Sequence, residues 1–371
     1  MDPHSQIARR FPLIARFRPA CLPLPDRVQA LVALADTARD TGDNGIASAV
    51  FNQSALIASD LAMPDLAREL CHRHAAAYLR ACPLPGMNTI RGLEPVVNLA
   101  RLRIRAGAGD EGREHLLRLY DAVRTGTATQ FEGVSVPAQL TATPDDRQEV
   151  RAWLWRVLLA DGTRTLTTAG RWTEALAHIK AHQGVGKRML DGRQVAILAA
   201  LTTGDADSTA TLLMETEPGD QWEQAVTACL TVLCRQAVGR PVDQHLRELA
   251  RTYLDHEAGH GTTVFDVRLG LVVLDALDVE ASPASRRIAQ DLHRRTMLAN
   301  DGYAAREILA HHRSVTVFSQ QEKRDLTNLL DVCALGSGTL PADRRADLDR
   351  ALHTSEAVLT HVVSQGGRAK P

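Results

Sequence analysis

Apolar residues recur at three- and four-residue intervals along most of the chain, which is the spacing of an amphipathic α-helix. Over 26–41 the apolar positions are Val28, Leu31, Val32 and Leu34, and Gly42-Asp43-Asn44-Gly45 closes the segment. The pattern predicts further helices over 46–61, from Pro64 through Leu79, over 90–106 and over 110–123. It lapses over 125–146, where Gly, Pro and Thr break the period, and a long surface loop is expected there. Helical spacing resumes over 146–169. It continues over 171–182, 192–203, 205–216, 220–238, 241–257, 263–277, 283–298, 303–312, 320–335 and 342–364. Residues 1–25 hold Pro12, Pro19, Pro23 and Pro25 and read as an irregular lead-in. The helical domain is then 26–365, and 366–371 reads as a flexible tail.

The glycines that punctuate these segments carry a longer period. Gly170, Gly204 and Gly239 stand about 34 residues apart, the length of one helix–turn–helix repeat. Gly42, Gly107 and Gly170 are separated by nearly twice that. One such repeat cannot bury its own apolar face, so stacked neighbours must share a continuous core. The expected fold is all-α: a right-handed solenoid of about eight to ten stacked antiparallel helix pairs.

One stretch gives this expectation a family. In Gly170-Arg171-Trp172-Thr173-Glu174-Ala175-Leu176 a Gly closes one helix, an aromatic follows two residues later, and a small Ala sits where two helices would touch. It resembles the turn and second helix of a tetratricopeptide repeat. Thr163 and Lys187 depart from that pattern, which favours a small residue and a Pro at these places. The chain is also similar to the repeat portion of actinobacterial regulators, with no helix-turn-helix DNA reader ahead of it. The resemblance implies a concave groove that holds a peptide or partner protein, hence a non-enzymatic scaffold or adaptor. It also admits a ligand-sensing regulator, or a helper protein of a biosynthetic enzyme.

Composition narrows the field. Aromatics make up only 4% of the 371 residues, which suits Ala/Leu-rich helix packing better than a β-sandwich. A net charge of −1 supplies no basic field for nucleic acid. The six cysteines are scattered with no CxxC, as expected of reduced, buried thiols in a cytoplasmic protein. No apolar run reaches the roughly 18 residues a membrane span requires.

Candidate chemistry is sparse. His256-Glu257-Ala258-Gly259-His260 is a literal HExxH. On a helix that spacing sets two imidazoles on one face to hold Zn²⁺, with Glu257 as general base toward the metal-bound water. Asp266, six residues on, resembles the third ligand of small secreted metalloproteases. A zinc hydrolase using His256, His260 and Asp266 is therefore the enzymatic alternative. Against it, Thr263 stands where those enzymes place a Gly, and the helical period puts His256 at a helix end. Cys71, His72 and His74 offer soft metal-ligand types, but Cys71 and His74 share a face from which His72 points away, and the stretch reads as a half-buried helix with its imidazoles outward. Glu307, His311 and His312 contain an i,i+4 pair of a kind that binds metal, against which stands a solvated helix end, where His favours the dipole.

Arg151, Trp153, Trp155 and Arg156 combine the residue types of a binding hot spot. Positions two apart on a helix diverge by about 200°, so one Trp faces the core and the other a groove. Phe131, in the preceding loop, joins them as a candidate contact. No P-loop, dinucleotide-binding or GxSxG motif occurs.

Overall fold

The computed structural model describes residues 1–256, 259–277 and 282–366. Regular structure among them is almost wholly helical. After α1 (Gln6–Arg10), capped by Ser5, the chain runs extended to Pro23. Helices α2 (Leu24–Thr41), α3 (Asn44–Asp60), α4 (Pro64–Leu79), α5 (Gly86–Arg105) and α6 (Gly109–Thr125) follow. Asp43 starts α3 by accepting from the Gly45 and Ile46 amides, and Gly126 ends α6 at φ +69°. Pro95 lies inside α5 and removes the amide that would bond the Arg91 carbonyl.

The segment expected as a loop is instead ordered. Strands β1 (Thr129–Phe131) and β2 (Val134–Val136) pair antiparallel, with Phe131 opposite Val134. Glu132 (φ 42°) and Gly133 (φ 87°) form the connecting pair, the positive-φ geometry of a type I′ hairpin. Phe131, Val134 and Val136 face inward. Leu84 then bridges to this segment: its amide donates to Leu140 O, and its carbonyl accepts from the Ala142 amide. Arg68 and Arg103 both pair with the Glu132 carboxylate at the hairpin tip.

The single helix expected over 146–169 is three pieces. A Thr143–Asp146 capping box starts α7 (Pro144–Val157). A π-helical turn, Leu158–Gly162, separates it from α8 (Thr163–Thr168). The inserted residue shifts the helical phase at that point.

Beyond the left-handed Gly170 come α9 (Trp172–Ala181), α10 (Asp191–Thr203), α11 (Ala206–Met214), α12 (Gln221–Ala237), α13 (Asp243–Asp255) and α14 (Thr263–Leu277). They are followed by α15 (Pro283–Ala299), α16 (Gly302–Leu309), α17 (Ser314–Val317), α18 (Gln320–Val332) and α19 (Ala342–Gly366). The expected tail lies, apart from residue 366, outside the described residues.

The helices gather into two compact units, both discontinuous in sequence. The first joins Met1–Pro23 to Leu166–Cys333, and the second joins Leu24–Thr165 to the segment from Ala334 onward. In the second unit each helix from α2 to α6 packs on its successor, and α3 with α5 and α5 with α7 also touch. In the first unit α10 with α12, α12 with α14, α14 with α16 and α16 with α18 repeat that relation. Contact between every second helix is compatible with a helical repeat array. Helix α19 packs on α2 and α3 and adds Leu348, Leu352 and Leu359 to the second unit's core.

The lead-in belongs to the first unit's core. Phe11 and Leu13 are buried, and the buried Gln194 side chain accepts from the Leu13 amide while donating to its carbonyl. No helix among the described residues is long and apolar enough to cross a membrane, and no disulfide links the described cysteines. Burial raises the Cys71 and Cys229 thiols to about 12 and Cys82 to about 11, so these thiols are unreactive.

Candidate binding groove

Helices α3 and α5 each carry a polar stripe opposite their apolar face. On α3 it is Asn44, Ser48 and Asn52, at four-residue spacing. On α5 it is Asn88, Arg91, Glu94, Asn98 and Arg101, at three- and four-residue spacing. Leu93, Val96, Val97 and Phe51 hold the other faces in the core, so both stripes are set on the same side of the second unit. Between them opens a cleft of about 540 Å³. Leu34, Ile46, Ala49 and Met87 give it apolar walls, and Asp43, Ser48, Asn52, Gln53, Arg91 and Glu94 are its polar points.

The polar groups are cross-linked rather than loose. Arg101 Nη1 donates to Asn98 Oδ1 at 3.1 Å, Asn98 Nδ2 to Asn52 Oδ1 at 3.1 Å, and Asn52 Nδ2 to Glu94 Oε2 at 2.7 Å. Arg101 also reaches Asp161, which the π-turn carries, at 2.9 Å. Ser48 Oγ and the Tyr78 hydroxyl lie 2.7 Å apart beneath the groove. An Asn side chain offers two donors and two lone pairs. In the bonds among the described residues, Asn52 and Asn98 each spend one of each and keep one of each for a ligand.

Arg91 is held differently. Its Nη1 donates to Asn44 Oδ1 and, at 3.2 Å, to Asn88 Oδ1, and Asn44 Nδ2 donates to Asn88 Oδ1 at 3.1 Å. The guanidinium lies over Gly45, where a Cβ would collide with it. Neutral amides fix its position without neutralising it, and Arg91 forms no ion pair among the described residues. Burial raises the Glu94 carboxyl above its ordinary range, and Asn52, Arg91 and Arg101 act against that shift.

The residues singled out in the sequence fall elsewhere. Phe131 is 3% exposed and packs in the core, where the His115 ring meets it edge-on and Arg118 lies over it, so it is no surface contact. Trp153 is half-buried against the same core, Trp155 is half-buried, and Arg151 and Arg156 are exposed. None of the five lines the cleft.

The HExxH residues do not share a helical face, because α13 ends at Asp255 and His256 is its extended cap. Glu257 lies outside the described residues. His256 Nε2 is 3.5 Å from Asp266 Oδ1, and Thr262 Oγ1 donates to Asp266 Oδ2 at 2.9 Å. Burial raises the Asp266 carboxyl. His260 is exposed and packs on Phe17, with ring centroids 5.6 Å apart.

His74, expected outward, is buried at 1% exposure between Phe51 and Tyr78. Glu307 pairs with Arg268 at 2.5 Å, and His311 is buried rather than solvated.

The chain matches no protein-family profile, and neither a curated protein nor a solved structure is significantly similar to it.

Proposed function

We propose that the chain is a non-enzymatic binding scaffold that holds an extended peptide, as a ligand or as part of a partner protein, in the groove between α3 and α5. The observation that carries this reading is Arg91: a charged donor set in place by two Asn amides beside an open cleft. A prepositioned guanidinium loses little entropy on meeting a carboxylate and can take it with two parallel bonds. Asn52 and Asn98, one above the other, match the alternating donors and acceptors of an extended main chain. Leu34, Ile46 and Met87 provide apolar contact for the peptide's side chains. Tetratricopeptide-like arrays bind peptides on such a face, and the contacts between alternate helices are compatible with an array. Cysteines that are mostly buried and form no disulfide suit a reducing cytoplasmic setting.

A random peptide array probed with the purified chain tests the proposal, followed by fluorescence anisotropy with the selected peptide. Arg91→Ala is expected to weaken binding by about 10- to 100-fold, the worth of one charge-assisted hydrogen bond, and Asn52→Ala by about 2- to 10-fold, that of a neutral one. Gly45→Ala displaces the guanidinium without deleting it and is expected to weaken binding as well. Melting temperatures should stay within a few degrees, since all three positions lie on the cleft rather than in the core. Failure of the chain to select any peptide, or undiminished binding by the Arg91 and Asn52 variants, would overturn the proposal.

A further inference from the structure

In the first unit, three metal-type donors converge outside the HExxH stretch. Asp275 lies near the C-terminal end of α14, and His311 and His312 occupy the turn after α16. His311 Nε2 is 2.9 Å from Asp275 Oδ1, and His312 Nε2 is 3.8 Å from the same oxygen. One ligand atom from each residue lies within 4.8 Å of the other two, the single such triad among the described residues. Consecutive residues on a helix would point about 100° apart. Here the chain has left the helix, and the two rings meet with centroids 4.6 Å apart.

We propose that Asp275, His311 and His312 bind one divalent transition-metal ion of the zinc type, in a three-ligand site with its fourth position toward solvent. A tetrahedral zinc with bonds of about 2.0–2.1 Å sets its ligand atoms roughly 3.3–3.4 Å apart. The His311–Asp275 and His312–Asp275 separations lie on either side of that value, and all three ligand atoms fall within 4.8 Å of one another, so the side chains need only draw together to seat the ion.

The surroundings orient these donors as an outer coordination layer does. His312 Nδ1 lies 2.8 Å from the Gln6 amide oxygen, an acceptor only, which places the ring proton on Nδ1 and leaves the Nε2 lone pair toward Asp275. Arg10 pairs with Asp275 Oδ2 at 2.5 Å, so Oδ1 is the oxygen left to face the imidazoles. The His311 side chain is fully buried, and its Nδ1 has no hydrogen-bond partner. The half-exposed His312 side chain marks the entry path. Both Gln6 and Arg10 come from α1, so an ion here would also fasten the lead-in. The Arg10 charge opposes a cation, and the expected affinity is therefore micromolar, well below that of a structural zinc site.

The test uses the full chain without a His tag, stripped with chelator and titrated with Co²⁺ by visible absorption and with Zn²⁺ by calorimetry. One ion per chain with tetrahedral cobalt absorption is expected, together with a melting temperature that rises with zinc concentration. His312→Ala should weaken binding about 100-fold and leave the metal-free protein folded, because that side chain is half exposed. Gln6→Ala should weaken it about 10-fold through the lost orientation of His312, and His256→Ala should leave it unchanged. Absence of saturable binding, unchanged affinity in His312→Ala, or loss in His256→Ala instead would each overturn the assignment.

Discussion

Replacing Trp172 with Ala is expected to lower the stability of the unit that contains it by about 3–5 kcal/mol, the usual cost of removing a large buried aromatic. Trp172 is 2% exposed and begins α9. Its indole N–H donates to the Pro3 carbonyl at 3.2 Å. Gly170 just before it takes φ +72°, and a Cβ there would lie 2.5 Å from His4 Nδ1. The turn and the first residues of the chain are therefore closed against each other, with the indole as the filling. Removing it creates a cavity and leaves the Pro3 carbonyl without that donor, next to the buried Ala175 one turn on. Trp172→Phe separates the two effects, since it retains most of the ring and loses only the donor; about 1–2 kcal/mol is expected. Urea unfolding followed by circular dichroism measures both costs. Hydrogen exchange should show residues 1–5 losing protection in the Ala variant before the rest of the unit does. A cost below about 1 kcal/mol for Trp172→Ala would show that the indole is not what closes this turn.

The same turn shows how far the chain could be read before its structure was known. Gly170, Trp172 and Ala175 announce a helical hairpin because each position has a local requirement: positive φ, bulk, and absence of bulk. Helix ends at Asp43, Thr143, Asp220 and Ser319 follow from capping residues, so boundaries there fall within a few residues of expectation. The hairpin at Phe131–Val134 was hidden because a search for helical spacing discards a period of two. Its signal was present as Glu132-Gly133 beside the alternating Val134-Ser135-Val136.

The groove escaped for a related reason. Asn44, Ser48 and Asn52 repeat at helical spacing, and so do Asn88, Arg91 and Asn98, but attention to apolar stripes treats the polar face as mere solvent contact. That two polar stripes would face one another depends on α3 touching α5 across the intervening α4, which is a tertiary fact. The Asp275 triad is further from view still, since its members are 36 residues apart and meet only because the chain leaves α16 before His311. His74 shows the opposite case: its polar residue type suggests the outside, whereas its position on α4 faces inward.

That inward histidine makes the second unit acid-sensitive. His74 lies against Phe51 with ring centroids 5.4 Å apart and meets Tyr78 edge-on at 5.8 Å, and neither ring nitrogen has a hydrogen-bond partner. Burial alone lowers its pKa to about 3, against an ordinary value of 6.5. Only the neutral ring fits the folded protein, whereas the unfolded chain accepts a proton once the pH drops below about 6.5. The associated stability is thus complete above that pH and is lost progressively as the pH falls toward 3, at about 1.4 kcal/mol per unit. By pH 4.5 the loss is about 3 kcal/mol, a large share of a typical folding free energy. His74→Leu fills a similar volume without a titrating group. At pH 7.5 it is expected to be about as stable as the parent, because it also removes two unsatisfied nitrogens from the core. At pH 4.5 it should exceed the parent by about 3 kcal/mol. Carboxylates whose pKa values the fold lowers, such as Asp146 and Glu322, weaken both proteins equally in acid and cancel in the comparison. Urea midpoints for the two proteins at pH 7.5, 5.5 and 4.5 decide the matter. Curves that separate as the pH falls place the proton sensitivity at His74, and curves that stay parallel would mean that the ring takes up its proton without leaving the core.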